Sequence, residues 1–380
     1  MAIVVKKFGG TSVGSIEKIK NIAGHILADS KEGDDIVIVV SAMGKTTDEL
    51  FGLAHEITKN PNQREMDMLV TAGERITMAL LSLCLQELQI QSISFTGSQS
   101  GIITDNSHGN AKILTVNAFR ISEELGKRKI VIVAGFQGVS LEKEITTLGR
   151  GGSDTTAVAL SCFLNAKKCE IFTDVDGVYT ADPRIVSTAK KLSRLSFEEM
   201  LYLTLYGSKV LHSRAAEFAN KYQIPTEIKS SIEYTEGTMI DNKIEHSMVK
   251  AISHKENIFH FCVKLLNNEI PVFMTDVFDM DFSENVLNVW LEGQYETKFI
   301  GELDKYGFKY TKSDDAIAVI NLLGYRICKD IQFFSNLHKT LKEVCQKTFY
   351  IKNQGIGVQI TVEQSETGNV LKHLHDSYVT

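Results

Sequence analysis

Apolar positions along the first 245 residues of this chain alternate between two periods. Short β-branched runs at Ile3–Val5, Ile36–Val40, Ser92–Phe95, Ile130–Ala134 and Glu170–Thr173 read as buried strands. Between them lie segments with helical spacing. In Ser15–Leu27, residues Ile16, Ile19, Ile22, Ala23 and Ile26 share one face. Met66–Leu88 carries Leu69, Ala72, Ile76, Ala79 and Leu80 at similar spacing, and Thr155–Leu164 reads as a third helix. Strands alternating with helices predict an α/β layered fold with a largely parallel sheet. Such a sheet carries its sites at the C-terminal ends of its strands, in the loops that lead into helices. After about residue 245 the glycine-rich loops thin out. Strand-like runs at 258–265, 286–291, 316–322 and 358–362 surround helical stretches at 333–347 and 368–376. This predicts two small α+β units of about 60–70 residues each, with no proline-rich linker.

Composition narrows the class. A length of 380 residues is too great for one typical domain. With 43% hydrophobic residues and only 4 Pro, disorder is excluded. A net charge of −6 argues against a nucleic-acid binder held by a basic face. No stretch approaches the ~20 consecutive apolar residues of a membrane span. The apolar run at Ile3–Val5 is too short for a secretory leader. The six cysteines, at 84, 162, 169, 262, 328 and 345, form no CxxC pair. They read as dispersed thiols of a cytosolic protein, and no zinc site is expected.

The strand-end loops carry the candidate chemistry. The first strand runs into Lys7-Phe8-Gly9-Gly10-Thr11-Ser12. Adjacent glycines let the backbone approach an anion, and Lys7 adds a cation. The loop is not a Walker motif: Gly44-Lys45-Thr46 would need glycine at 39, where Val39 stands. No GxGxxG follows a strand either. The second strand leads into Ser41-Ala42-Met43-Gly44-Lys45-Thr46-Thr47. The long helix carries Thr71-Ala72-Gly73-Glu74-Arg75, in which Glu74 could hold an ammonium group or form a solvated pair. Gly135-Phe136-Gln137-Gly138 follows another strand. The densest segment is Thr146 to Ala157, with Gly149, Gly151 and Gly152 around Arg150, a planar fork suited to a carboxylate. Ser153 or Asp154 is the natural cap of the next helix. Thr173-Asp174-Val175-Asp176-Gly177-Val178-Tyr179-Thr180-Ala181-Asp182-Pro183-Arg184 is a long polar loop that could enclose a nucleotide. In Gly207-Ser208-Lys209-Val210-Leu211-His212 a lysine lies near a helix start, and His212 reads as a helix-terminal residue with a local hydrogen bond.

These segments, in this order over about residues 1–240, resemble the aspartate kinase family of the amino-acid kinase superfamily, above all its shorter, monofunctional bacterial members. The resemblance implies an open mixed sheet between helical layers, followed by two ferredoxin-like ACT units. The implied division is 1–245 for the catalytic domain, 246–313 for a divergent first ACT-like unit and 314–380 for the second. It implies transfer of the ATP γ-phosphoryl group, with Mg²⁺, to the β-carboxylate of L-aspartate, opening the route to lysine, threonine and methionine. By the same resemblance, Lys7 and Asp154 are catalytic. Ser41, Thr47, Glu74, Arg150, Gly151, Gly152 and Ser153 line the aspartate site, Glu74 on the ammonium and Arg150 on the α-carboxylate. Lys7, Phe8, Gly9, Gly10, Thr173, Asp174, Tyr179, Asp182, Arg184 and Lys209 contact ATP, with the Gly9 and Gly10 amides on the transferring phosphoryl group. A homodimer through the ACT units and an amino-acid effector are expected.

Departures from the family pattern are mild in the first part, where Ser208 and Ser213 stand in place of Ala and Pro. The second ACT-like unit keeps a glycine loop at Leu323-Gly324-Tyr325 and the terminal Leu374-His375. The first reads Val263-Lys264-Leu265-Leu266-Asn267-Asn268-Glu269-Ile270-Pro271, with no glycine. Which amino acid inhibits, and whether Met248 is an internal start, stay open. Three alternatives stay in play: a glutamate 5-kinase, an N-acetylglutamate kinase, and a catalytically inactive amino-acid sensor. Some 135 residues beyond the catalytic part leave no room for a fused dehydrogenase.

Overall fold

A computed structural model describes residues 1–244, 247–265, 277–283, 285–324, 326–347 and 349–379. The chain forms two compact units. The first comprises 1–178, 191–204 and 209–245, and the second comprises 179–190, 205–208 and 246–380.

The first unit is built on an eight-stranded mixed sheet. Its order is Arg194–Ser196, Thr238–Asp241, Thr226–Ser230, Lys168–Thr173, Ile3–Phe8, Asp35–Val40, Ile130–Ala134 and Ser92–Phe95. All neighbours run parallel except Thr226–Ser230 against Thr238–Asp241. The central strands are buried almost end to end, as expected of parallel strands covered on both faces. Helix Ile16–Asp29 is capped by Ser15, whose Oγ accepts from Lys18 N–H, and buries Ile19, Ile22, Ala23 and Ile26. A separate four-stranded sheet joins Ile113–Val116, Ile102–Thr104, Gln137–Ser140 and Ile145–Thr147.

Two expectations about helices need correction. The single stretch 66–88 is two helices, Gln63–Val70 and Ala72–Glu87, meeting at Thr71. The buried face of the second holds Gly73, Glu74, Thr77, Met78, Leu81 and Leu85, whereas Ile76 is exposed. The most apolar stripe is therefore not the inner one, because part of the inner face is given to polar groups. This 25-residue run, Gln63–Glu87, is also long and apolar enough to cross a bilayer by length and composition, but half of its 18-residue apolar stretch is buried within the protein. The second correction concerns the cap near 153. The helix starts at Gly152, with Gly151 at the cap in the left-handed region at φ +65°. Ser153 and Asp154 thus sit in the first turn, where a carboxylate complements the helix dipole.

The second unit holds a seven-stranded sheet in which all pairs are antiparallel. One 14-residue strand, Ala251–Lys264, serves both halves. Its first part pairs with Ile317–Leu323, and its last part pairs with Val286–Glu292 and Lys309–Lys312. The register shifts between Lys255 and Ile258, where Asn257 has φ +58°, the signature of a bulge that turns a strand. The sheet thus runs unbroken across the division expected between 313 and 314. Helices Ile331–Val344 and Thr367–Tyr378 cover one face with Phe333, Leu337, Leu341, Val370, Leu371 and Leu374. Helix Glu296–Tyr306 packs Phe299 and Leu303 on Phe261, Val263 and Leu291. The glycine-free segment from Leu266 to Pro271, and Tyr325, lie outside the described residues.

Candidate active site

The ends of four adjacent strands converge in the first unit, since Phe8 pairs with Val40 and Phe172, and Val40 pairs with Ala134. Four of the predicted loops leave from these ends, and they are fitted to one another through glycines. A Cβ on Gly10 would lie 2.9 Å from Ala42 O, and one on Gly73 would lie 2.7 Å from Ala42 Cβ. A Cβ on Gly135 would meet Ser153 Cβ at 2.8 Å. Gly44 N–H closes the first two loops by donating to Gly10 O at 3.0 Å.

Lys7 Nζ lies 2.5 Å from Asp154 Oδ1, and both side chains are largely buried. Strand Ile3–Phe8 and the first turn of helix Gly152–Phe163 thus bring together the two residues expected to be catalytic. Ser153 is buried beside them, whereas Arg150 stands exposed on the loop just before the helix. Ser41 and Thr47 are half-buried at the second strand end and at the start of helix Thr46–Ile57.

Glu74 is 3% exposed. Its Oε1 accepts from Ala42 N–H at 3.1 Å, and its Oε2 is buried without a hydrogen-bond partner. Burial pushes its pKa up to about 7, because desolvation penalises the ionised form. A buried carboxylate with an oxygen unmet by the protein fits a cationic ligand group.

Two nucleotide contacts expected from the sequence change character. Gly9 N–H donates to Phe172 O at 3.2 Å: sheet pairing continues one residue past the strand, so this amide is not available to a phosphate. Phe8 is fully buried and stacked on Phe172 with centroids 4.7 Å apart, which leaves only its backbone for a ligand. Thr173 donates to Asp174 at 3.0 Å, with Asp174 exposed, and Lys209 is exposed shortly before helix Ser213–Tyr222. Tyr179, Asp182 and Arg184 belong to the second unit. There Arg184 makes a two-pronged contact to Asp182 at 3.0 and 2.7 Å, which holds the Asp182 carboxyl below its usual pKa.

His212 caps helix Ser213–Tyr222, its Nδ1 accepting from Arg214 N–H at 3.4 Å, as the sequence suggests. Sequence reasoning missed three polar residues near the site. Asp67 is 1% exposed and accepts from Thr147 and Gly109, and Arg214 donates to three acceptors. Gln137 is buried, donating to Thr71 O while its Oε1 has no partner. The only signal for Gln137 was its place in the Gly-Phe-Gln-Gly turn. Asp67 and Arg214 carried none, because their partners are distant in sequence.

The profile of the Amino acid kinase family matches residues 2–230. An aspartokinase of Bacillus sp. (strain MGA3) is 45% identical over 333 residues, covering 86% of this chain and 80% of its own. The chain belongs to the aspartokinase family. Aspartokinase 2 of Bacillus subtilis (strain 168) is 40% identical over 385 residues, covering 100% and 92% of the two chains. In fold, the chain is similar to E. coli aspartokinase III in complex with aspartate and ADP, with a TM-score of 0.82, 24% identity and coverage of 98% and 99%. The same enzyme in complex with lysine and aspartate gives a TM-score of 0.78 at 24% identity, covering both chains fully. The fold of E. coli aspartokinase III is thus similar to that of this chain over nearly the whole length of both.

Proposed function

We propose how this member of the aspartokinase family transfers the γ-phosphoryl group of ATP to the β-carboxylate of L-aspartate. The observation that supports the assignment most is the buried, unpartnered Oε2 of Glu74, whose Oε1 accepts from Ala42 N–H at the strand ends where Lys7 and Asp154 pair. Glu74 takes the substrate ammonium, which supplies the partner its carboxylate lacks. Arg150 takes the α-carboxylate with its planar fork. Ser41, Thr47 and Ser153, with the backbone of Gly151 and Gly152, border the rest of the amino acid. Lys7 and the Gly10 amide face the transferring phosphoryl group, and Asp154 holds the Lys7 ammonium in place at 2.5 Å. Thr173, Asp174 and Lys209 serve the nucleotide.

The β-carboxylate, with a reference pKa of about 3.9, is already ionised near neutrality. One of its oxygens attacks Pγ, the bond from Pγ to the β,γ-bridging oxygen breaks, and ADP leaves with that electron pair. No proton has to move, so positioning and charge neutralisation carry the catalysis. Mg²⁺ would accompany ATP as its chelate and neutralise phosphate charge, and no residue of this chain is assigned to hold it. Among the described residues no three His, Cys, Asp or Glu converge to cage a metal.

We further propose a cytosolic enzyme, consistent with six free thiols. We propose that it pairs as a homodimer through the second unit and is regulated there by an amino acid. The acceptor is tested by trapping the acyl phosphate as a hydroxamate with aspartate, glutamate and N-acetylglutamate in turn. Aspartate is expected to react fastest. Faster reaction with either alternative would overturn the assignment of Glu74 and Arg150.

A further inference from the structure

The segment Leu148–Gly151, which carries Arg150, is held at both ends by one helix start. At its first end the Arg214 guanidinium donates to Leu148 O, to Asn110 Oδ1 at 2.9 Å and to Ala111 O at 2.8 Å. At its other end the His212 ring fills the space beside Gly151, where a Cβ would come within 2.1 Å of His212 Cγ. His212 and Arg214 are joined by the Arg214 N–H bond to Nδ1, so both ends are gripped by one local unit.

The loop that Arg214 grasps is itself anchored from the opposite side. Asp67 pairs with His108 Nδ1 at 2.6 Å, and it accepts from Gly109 N–H at 3.1 Å and from Thr147 Oγ1 at 2.5 Å. Ala111 N–H donates to Thr147 O at 2.8 Å. A Cβ on Gly149 would lie 3.1 Å from both Asn110 Oδ1 and Gly109 O. Leu148 and Gly149 therefore lie between a buried carboxylate's loop and a guanidinium. The side chain of Arg150 is exposed, so its position follows from this backbone.

We propose that Arg214, together with His212, is a positioning residue that aims Arg150 at the substrate α-carboxylate and so sets aspartate affinity. The proposal rests on the reading of Arg150 as the carboxylate ligand. The guanidinium suits the task because its planar fork reaches acceptors on two loops at once, which a lysine ammonium cannot reproduce.

The test is steady-state kinetics of the full chain with Arg214→Lys, Arg214→Gln, Asn110→Ala and Arg150→Lys, plus the Arg150→Lys/Arg214→Gln double variant. Both Arg214 variants are expected to raise the aspartate KM by about tenfold, with the ATP KM within about twofold of the parent. Asn110→Ala, which removes one acceptor only, is expected to shift the aspartate KM in the same direction by less. The double variant should be little worse than Arg150→Lys alone, because coupled residues are not additive. A fall in kcat and melting temperature with both KM values unchanged would mean a merely structural role and would overturn the proposal. If Arg150→Lys leaves the aspartate KM unchanged, the reading of Arg150 fails. If Arg150→Lys raises it and neither Asn110→Ala nor any folded Arg214 variant does, only the positioning proposal fails.

Discussion

At the scale of the residue, the site turns on a carboxylate kept out of water. With its pKa at about 7, Glu74 is substantially protonated below neutrality. The aspartate KM should fall as pH rises through about 7 and then level off. In Glu74→Gln that dependence should vanish and the KM should stay high, which initial rates across the range would show. The same group affects stability with a defined sign. The folded state holds this proton more tightly than the unfolded chain, so stability falls as pH rises from 4.5 to about 7 and is constant beyond. The loss is about 3 kcal/mol. Glu74→Gln should therefore melt higher than the parent above pH 7 in the absence of aspartate. An unchanged difference between the two across this range would contradict the burial account. The motif around Glu74 was legible in the sequence, but its burial was not. The apolar stripe Leu69, Ala72, Ile76, Ala79 and Leu80 pointed to another face, since a functional helix spends part of its inner face on polar groups.

At the scale of the element, the strands of the main sheet were legible because they are buried on both faces and read as continuous β-branched runs. The small four-stranded sheet was not, because its strands are only three or four residues long. Helix Thr46–Ile57 has no buried residue, so it leaves no periodic signal. The start of helix Gly152–Phe163 was misplaced because its cap is a left-handed glycine, chosen by the His212 ring and not by helix propensity. Gly151→Ala should accordingly destabilise the protein and raise the aspartate KM, since both φ +65° and the ring oppose a methyl group. Differential scanning calorimetry and kinetics would check each effect. Beneath the loops, Lys6 is buried between Glu170 at 2.5 Å and Asp29 at 2.9 Å. Burial alone would raise the Glu170 pKa, but Lys6 and Lys168 outweigh it and bring it down to about 2. A depressed carboxylate stabilises the fold above its unfolded pKa of 4.5, and that contribution is lost as pH falls toward 2. Glu170→Gln should cost about 3–5 kcal/mol at neutral pH, because it leaves the Lys6 charge underpaired. Denaturant titration at pH 7 and pH 3 should show a smaller difference at the lower value.

At the scale of the whole molecule, the chain passes between its two compact units more than once. The polar loop read as one motif divides at Val178 and Tyr179. In the second unit, Thr180 is tied to His375 Nε2 at 2.9 Å and accepts Ile252 N–H at its carbonyl at 2.7 Å. The long strand Ala251–Lys264 carries a bulge at Asn257, and its pairing partners, Val286–Glu292, Lys309–Lys312 and Ile317–Leu323, all follow it in sequence, so neither the bulge nor its double pairing is visible in a local pattern. Sedimentation equilibrium should give twice the chain mass of 42.3 kDa, and lysine or threonine, titrated singly, should lower the rate. In the proposed mechanism Glu74 reads the substrate ammonium. That role is tested most directly by comparing aspartate with N-acetylaspartate as acceptor in the parent and in Glu74→Gln. Strong discrimination in the parent should collapse in the variant through loss of aspartate turnover. Equal discrimination in both would contradict that role.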